Sequence, residues 1–149
     1  SKIGLTTEDI LDQELINDLL KLMEEGQADF TLVFRRLSQT LQGDRDAVRN
    51  LFKEPDAFNA WAIRWQKRLE KEDILAETTA QSMDRVNPIY IPRNHKVEEA
   101  LVAAVNQDMT PFTKLLEVVI QPFDEVAGNE AYAEPAPATN RRYQTFCGT

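Results

Sequence analysis

The stretch that decides the fold is residues 58 to 69, which read FNAWAIRWQKRL. Its larger apolar residues recur at three- and four-residue steps: Phe58, Trp61, Ala62, Trp65 and Leu69. This spacing places them on one stripe of a helix, with the basic residues mostly on the other side. Two tryptophans could also stack on nucleic-acid bases, but their place in the stripe favours the core. We therefore expect this helix to supply the aromatic anchor of a buried core.

The same helical spacing extends outward from this stretch in both directions. Helices are predicted over residues 11–23, 30–41, 44–52, 55–69, 74–86, 97–105 and 111–120. Asp29 is a plausible N-cap of the second, and Pro55 suits the first turn of the fourth because its missing N–H has no helical partner there. Gly26 and Gly43 follow the first two helices, as stop signals do.

The last two predicted helices each carry an apolar series. The small residues of the sixth would allow close approach of a neighbour, and the series of the seventh is expected to be its buried face. The sixth presents Val97, Ala100, Leu101, Ala104 and Val105, and the seventh presents Phe112, Leu115, Leu116, Val119 and Ile120. Thr110 as cap and Pro111 at the first helical position predict where the seventh begins. Pro122 is expected to close it.

No alternating apolar pattern of a strand is sustained, so the fold class is predicted to be all-α. Residues 1–121 should form one helical domain, an irregular array of about six or seven helices. Residues 122–149 should form an extended C-terminal tail, since helical periodicity ends there and Pro135 and Pro137 favour a polyproline-like path.

Composition narrows the class of protein. The 149 residues are 42% hydrophobic, carry a net charge of −8 and include one cysteine. No signal peptide or membrane span is evident, and one thiol forms no internal disulfide, so we expect a cytoplasmic protein in a reducing compartment. The acidic balance argues against nucleic acid and membranes as partners, although residues 29–71 hold nine basic and six acidic groups.

The sequence offers no constellation typical of a catalytic or metal site. No glycine-rich phosphate loop is present, and His95 has no neighbours at metal-ligand spacing, which favours a surface or capping role. Adjacent carboxylates such as Glu98 and Glu99 diverge by about 100° around a helix and cannot meet at one substrate atom. We expect no catalytic residue, no metal ligand and no cofactor site in this segment.

Cys147 lies three residues from the last printed residue, next to Gly148, in a segment without helical pattern. Only Arg141 and Arg142 are cations near it in sequence, and nothing local sets its pKa. Its chemistry alone leaves an inert exposed thiol and a redox-active thiol equally open.

Three segments carry a resemblance that runs through the whole chain. They are Asn87-Pro88-Ile89-Tyr90-Ile91-Pro92-Arg93-Asn94, then Pro122-Phe123-Asp124-Glu125, then the tail from Tyr143 to Thr149. Together they resemble the C-terminal region of the selenoprotein O family. That family is similar to protein kinases in fold and acts as a protein adenylyltransferase, moving AMP from ATP onto Ser, Thr or Tyr with Mg²⁺ or Mn²⁺.

The resemblance implies that the catalytic residues and the ATP site lie upstream, in the kinase-like lobe of a longer parent protein. That lobe would be the main partner of this segment, and the protein substrates of the parent would be further partners. It implies that Cys147 is a redox-regulatory residue that pairs with a cysteine of that lobe. Residues expected to dock on the lobe are Asn87, Pro88, Tyr90, Arg93, Asn94, Pro122, Phe123, Tyr143 and Phe146. A eukaryotic member would be mitochondrial.

Two alternatives remain beside this interpretation. Residues 87–94 could be an internal helix junction in which Arg93 satisfies backbone carbonyls. The chain could also be a free-standing helical module for protein–protein interaction. Separated from the upstream lobe, the segment would expose apolar surface, which favours a non-native dimer.

Overall fold

The structure, a computed structural model, describes residues 1–137, which form two compact units, Ser1–Pro88 and the residues from Ile89 onward. Helices are the only regular elements within residues 1–137, which confirms the predicted all-α class. None of these helices combines the length and the apolar composition that crossing a bilayer requires. The division at Pro88 falls inside the predicted domain 1–121, and the boundary at residue 121 stays a prediction.

The first unit contains five α-helices and one short 3₁₀ turn. They are α1 (Asp12–Glu25), α2 (Phe30–Leu41), α3 (Asp46–Arg49), α4 (Pro55–Leu69), the 3₁₀ turn Glu70–Glu72 and α5 (Ala76–Asp84). The predicted start signals are confirmed: the Asp29 side chain accepts a 2.9 Å hydrogen bond from the Leu32 N–H, and Pro55 opens α4.

The aromatic stripe of α4 forms the core of this unit, as predicted. Phe58, Trp61 and Trp65 are almost fully buried, and the rings stack in sequence with centroids 5.8 Å and 5.5 Å apart. Each indole N–H donates a 2.8 Å hydrogen bond, Trp61 to the Leu15 carbonyl and Trp65 to the Ile3 carbonyl. The stripe therefore anchors both α1 and the first residues of the chain to α4.

Helix α5 has few large apolar residues and is held largely by α2. The Arg35 guanidinium donates to the Asp84 carbonyl at 2.9 Å and to the Asn87 carbonyl at 3.3 Å. The Ser38 hydroxyl donates to the Asp84 carboxylate at 2.6 Å. Because the last carbonyls of a helix lack partners within it, these contacts from α2 complete the C-terminal end of α5.

The second unit contains α6 (Asn94–Val105), α7 (Thr110–Val119) and α8 (Glu130–Ala133) within its described residues. Helix α7 begins at Thr110 itself, one residue earlier than predicted, because the Asp108 carboxylate accepts from the Thr110 N–H at 3.0 Å. Helix α8 lies in the stretch predicted as an extended tail, so that expectation was wrong for these four residues. Periodicity over so short a segment gives no detectable signal.

The apolar series of α6 and α7 are only partly buried. Ala100 and Leu115 are buried, but five members of the two predicted series are exposed: Leu101, Val105, Phe112, Leu116 and Ile120. The prediction of a buried face was wrong for Phe112, Leu116 and Ile120 of α7. A small unit has too little interior to cover two complete helix faces, although local spacing marks both as apolar.

Candidate functional site

The first residues of the predicted docking stretch lie in the first unit and are used for contacts within it. Asn87 is completely buried, and its side-chain N–H donates to the Lys2 carbonyl at 2.7 Å. Its backbone N–H donates to the Met83 carbonyl at 2.9 Å. Pro88 is half-buried. Asn87 therefore joins the end of α5 to the start of the chain.

The rest of the stretch lies in the second unit. The backbone N–H groups of Ile89 and Tyr90 donate to the Pro122 carbonyl at 2.7 and 3.3 Å. The Tyr90 hydroxyl accepts from the Val126 N–H at 3.0 Å and lies 3.4 Å from the Val126 carbonyl, to which it donates. These contacts bind the segment after α7 to the segment before α6.

Arg93 is buried, and its guanidinium donates to the Ala133 carbonyl at 2.7 Å, the last residue of α8. This is the contact expected of an internal junction whose arginine satisfies carbonyls. Asn94 and Phe123 are exposed and Pro122 is half-buried, so these three retain surface for a partner. Tyr143, Phe146 and Cys147 lie outside the described residues, and the docking role of the set stays a prediction.

A buried charged cluster in the first unit was not foreseen from the sequence. The Glu72 carboxylate, only 1% exposed, accepts from the backbone N–H and hydroxyl groups of both Thr6 and Thr7. Arg68 donates to it from Nη1 at 2.5 Å and reaches the Asp12 carboxylate from Nε at 2.7 Å. Thr6 and Glu72 are 66 residues apart in sequence, so local pattern carries no sign of the pairing.

The cluster holds its carboxylates ionised. Burial by itself would raise the pKa of Glu72, but the hydrogen bonds from Thr6, Thr7 and Arg68 outweigh it and hold that pKa well below its usual value. The hydrogen bond from Arg68 likewise lowers the pKa of Asp12. A carboxylate kept charged and fully paired is a poor general acid or base, so this cluster fits a structural clamp on the first residues of the chain.

The basic residues in the middle of the sequence are largely occupied by acidic partners of the first unit. Arg64 pairs with Asp18 at 2.6 Å, and Lys71 pairs with Asp9 at 3.0 Å. Arg35 and Arg68 are buried in the contacts described above. These pairings reduce the positive charge that this stretch can offer to a phosphate backbone.

His95 is the second residue of α6 and lines a shallow surface depression with Glu98 and Glu99. Within residues 1–137, no group of three or more histidine, cysteine, aspartate or glutamate side chains is placed to hold a metal ion. The histidine therefore has the surroundings of a surface residue near a helix start.

A family model and several related sequences agree on what this chain is similar to. The family model described as "Protein adenylyltransferase SelO" matches residues 1–120. Relatives named "Protein nucleotidyltransferase YdiU" are 45% identical over 150 residues in Maridesulfovibrio salexigens, 47% over 148 in Sphingopyxis alaskensis and 43% over 151 in Rhizobium meliloti. These alignments cover 100%, 99% and 99% of this chain.

The same alignments cover 30%, 30% and 31% of the relatives, so the chain spans about a third of their length. The resemblance noted in the docking stretch is thus supported across the helical units as well. Because the family model matches 120 of its 149 residues, the chain belongs to the protein adenylyltransferase SelO family.

Proposed function

We propose that this chain is the C-terminal, non-catalytic helical segment of a protein adenylyltransferase. The parent would use ATP with Mg²⁺ or Mn²⁺ and transfer AMP to Ser, Thr or Tyr of target proteins. The observation that carries the proposal is family membership combined with a chain that spans about a third of its relatives. The greater part of such a protein is then available to supply the chemistry.

Adenylyl transfer makes specific demands on a site. A hydroxyl oxygen of the acceptor attacks the α-phosphorus of ATP, the bond to the pyrophosphate oxygen breaks, and the hydroxyl proton passes to a base. Catalysis needs cations around the phosphates and a carboxylate free to bind metal or accept the proton. Glu72 and Arg68 are instead buried, and Arg68 pairs with both Glu72 and Asp12, which supports placing the reaction in another part of the parent.

The segment would pack on the kinase-like lobe of the parent and carry its redox-regulatory residue. Asn94, Pro122 and Phe123 keep exposed surface for this docking, and Tyr143 and Phe146 would extend it along the tail. By exchange with a disulfide oxidant, which is reduced to two thiols, Cys147 and a cysteine of the lobe would form a disulfide. That bond closes a long loop and is typically worth about 2–4 kcal/mol. The parent would act in the cytoplasm, or in mitochondria in a eukaryote.

The test of catalysis compares the full-length parent with this chain alone, using labelled ATP, Mg²⁺ or Mn²⁺, and a protein acceptor. We expect AMP transfer by the parent and none by the chain. Transfer by the chain would overturn the placement of the chemistry, and an inactive parent would overturn the function.

The test of the switch is Cys147→Ser in the parent, assayed with and without reductant. We expect activity of the unchanged parent to respond to reductant and activity of the variant to be indifferent. An equal response in both proteins would contradict the redox role.

A free-standing helical interaction module is the second candidate, and the exposed apolar residues of α6 and α7 favour it. It predicts a gene product without an upstream kinase-like lobe. Mass measurement of the protein from its native source separates the two candidates, since the parent would be about three times the length of this chain.

A further inference from the structure

Two apolar stripes remain exposed in the second unit. On α7 the residues Phe112, Leu116 and Ile120 follow one another at four-residue steps, and the last is 64% exposed. On α6, Leu101 and Val105 are also four apart and are 55% and 84% exposed. Residues at this spacing lie one above the other on a helix, so each set is a continuous stripe.

The two stripes lie on the same side of the helix pair. Helices α6 and α7 pack on each other and are joined by only four residues, 106–109, so they run antiparallel. Leu101 directly follows buried Ala100, and Leu116 directly follows buried Leu115. On each helix, the exposed stripe therefore lies about 100° around the helix axis from the buried residue. On both helices it lies in the direction of increasing residue number. In an antiparallel pair, that rotation brings both stripes to one surface.

We call this surface the α6–α7 apolar face: Leu101, Val105, Met109, Phe112, Leu116 and Ile120. Isolated exposed apolar residues are ordinary, but a contiguous set of six large ones marks an interaction surface. Acidic residues border it, among them Glu98, Asp108 and Glu117. Residues 89–137 carry eight acidic and three basic side chains, so its surroundings are strongly negative.

The acidic border of this face favours one of the occupants that could cover it. A second copy of the chain would bring one acidic border against another, which costs free energy and weakens the pairing at low salt. A complementary occupant is apolar at its centre and bordered by lysine and arginine. The part of the polypeptide outside this chain is present at high effective concentration and makes up about two thirds of the relatives' length.

We propose that the α6–α7 apolar face is covered by the remainder of the adenylyltransferase polypeptide, through an apolar patch with a basic border. The proposal rests on the proposed function, because it needs a parent that contains this chain. It adds a docking surface distinct from the residues 87–94 and 122–123 discussed above. It also accounts for why two helices of a small unit keep apolar stripes that their own core does not cover.

The experiment places a single reporter thiol on the face of the full-length parent. Leu116→Cys lies on the face, and Lys114→Cys, about 160° around the same helix from Leu116 and also exposed, is the matched control. Each parent variant is reacted with N-ethylmaleimide, and the labelled peptide is quantified by mass spectrometry so that other cysteines do not interfere. We expect the thiol at position 116 to react at least about tenfold more slowly than the thiol at position 114.

Equal rates at the two positions would overturn the proposal. Protection at position 116 that disappears on dilution would also overturn it, because a second copy would then be the occupant. If Leu116→Cys does not fold, Phe112→Cys places the thiol one turn earlier on the same face. AMP transfer measured on the same samples separates the two claims: an active parent with an open face contradicts only the docking surface, and an inactive parent with a protected face contradicts only the function.

Discussion

Replacing Glu72 by glutamine is the most direct test of how the first residues of the chain are held. The substitution keeps the size of the side chain and removes its charge. The carboxylate accepts from five groups: the N–H and hydroxyl of Thr6, the N–H and hydroxyl of Thr7, and Nη1 of Arg68. In Glu72→Gln one oxygen becomes an NH₂ group, which directs its own protons at some of these donors.

The expected loss of stability follows from the burial of Glu72 and from the partner, Asp12, that Arg68 keeps. Removing one member of a buried ion pair costs about 3–5 kcal/mol, because the other charge stays buried. Arg68 keeps two contacts with Asp12, at 2.7 and 3.1 Å, so the lower end applies. We expect Glu72→Gln to lower the free energy of unfolding of the first unit by about 3 kcal/mol near neutral pH.

The effect should depend on pH with a defined sign. The pKa of Glu72 is lowered in the folded protein from its usual value of 4.5, so the folded state favours the ionised form. The resulting stabilisation is fully present above pH 4.5 and is lost as pH falls toward the folded pKa. The variant lacks this contribution at every pH. The difference between the two proteins should therefore shrink as pH is lowered below about 4.5.

Urea unfolding followed by tryptophan fluorescence measures this difference, because both tryptophans, Trp61 and Trp65, lie in the core of the first unit. Glu70→Gln is the matched control: Glu70 is an exposed glutamate in the same 3₁₀ turn, and its change should stay within about 0.5 kcal/mol. A loss equal to that of the control, or a difference unchanged from neutral to acidic pH, would refute the reasoning.

Three further substitutions test other contacts. Gly26→Ala would place a Cβ atom 2.9 Å from both the Leu22 carbonyl oxygen and a ring carbon of Phe52, so the first unit should lose about 1–3 kcal/mol in the same urea assay. No loss would mean that both the ring and the end of α1 adjust freely. Asn87→Ala removes a buried hydrogen bond and should cost about 1–3 kcal/mol by tryptophan fluorescence, whereas an unchanged midpoint would contradict its place in the first unit. Tyr90→Phe removes the hydroxyl that accepts from the Val126 N–H, so hydrogen exchange at that amide should accelerate at least about tenfold, and equal exchange would show that the bond is not formed in solution.

The parts of the fold that the sequence predicted well are those whose causes are local. The N-cap at Asp29, the proline that opens α4 and the stripe around Trp61 all lie within one helix, where spacing and residue type carry the information. Periodicity also marked Phe112 and Leu116 as apolar. It could not show that the core of the second unit stops short of them, because burial depends on what else packs there.

The charged cluster escaped prediction for a different reason. Thr6 and Glu72 meet across 66 residues, and nothing in either local sequence distinguishes this pair from other threonines and glutamates on solvated helices. The candidate docking residues show the same limit: resemblance identified Tyr90 and Arg93, but only the structure shows that both make internal hydrogen bonds. Long-range polar pairing has no periodic signature.

The attachment of α5 to α2 has a consequence for the order in which the chain folds. Helix α5 has nine residues, too few to persist alone in water, and its final carbonyl is satisfied by Arg35 from a helix 49 residues earlier. It should therefore remain unformed until α2 has docked, and substitutions on its surface should change the unfolding rate far more than the folding rate. The segment from Ala76 to Asn87 should therefore fold late, by docking on a nucleus formed by the earlier helices.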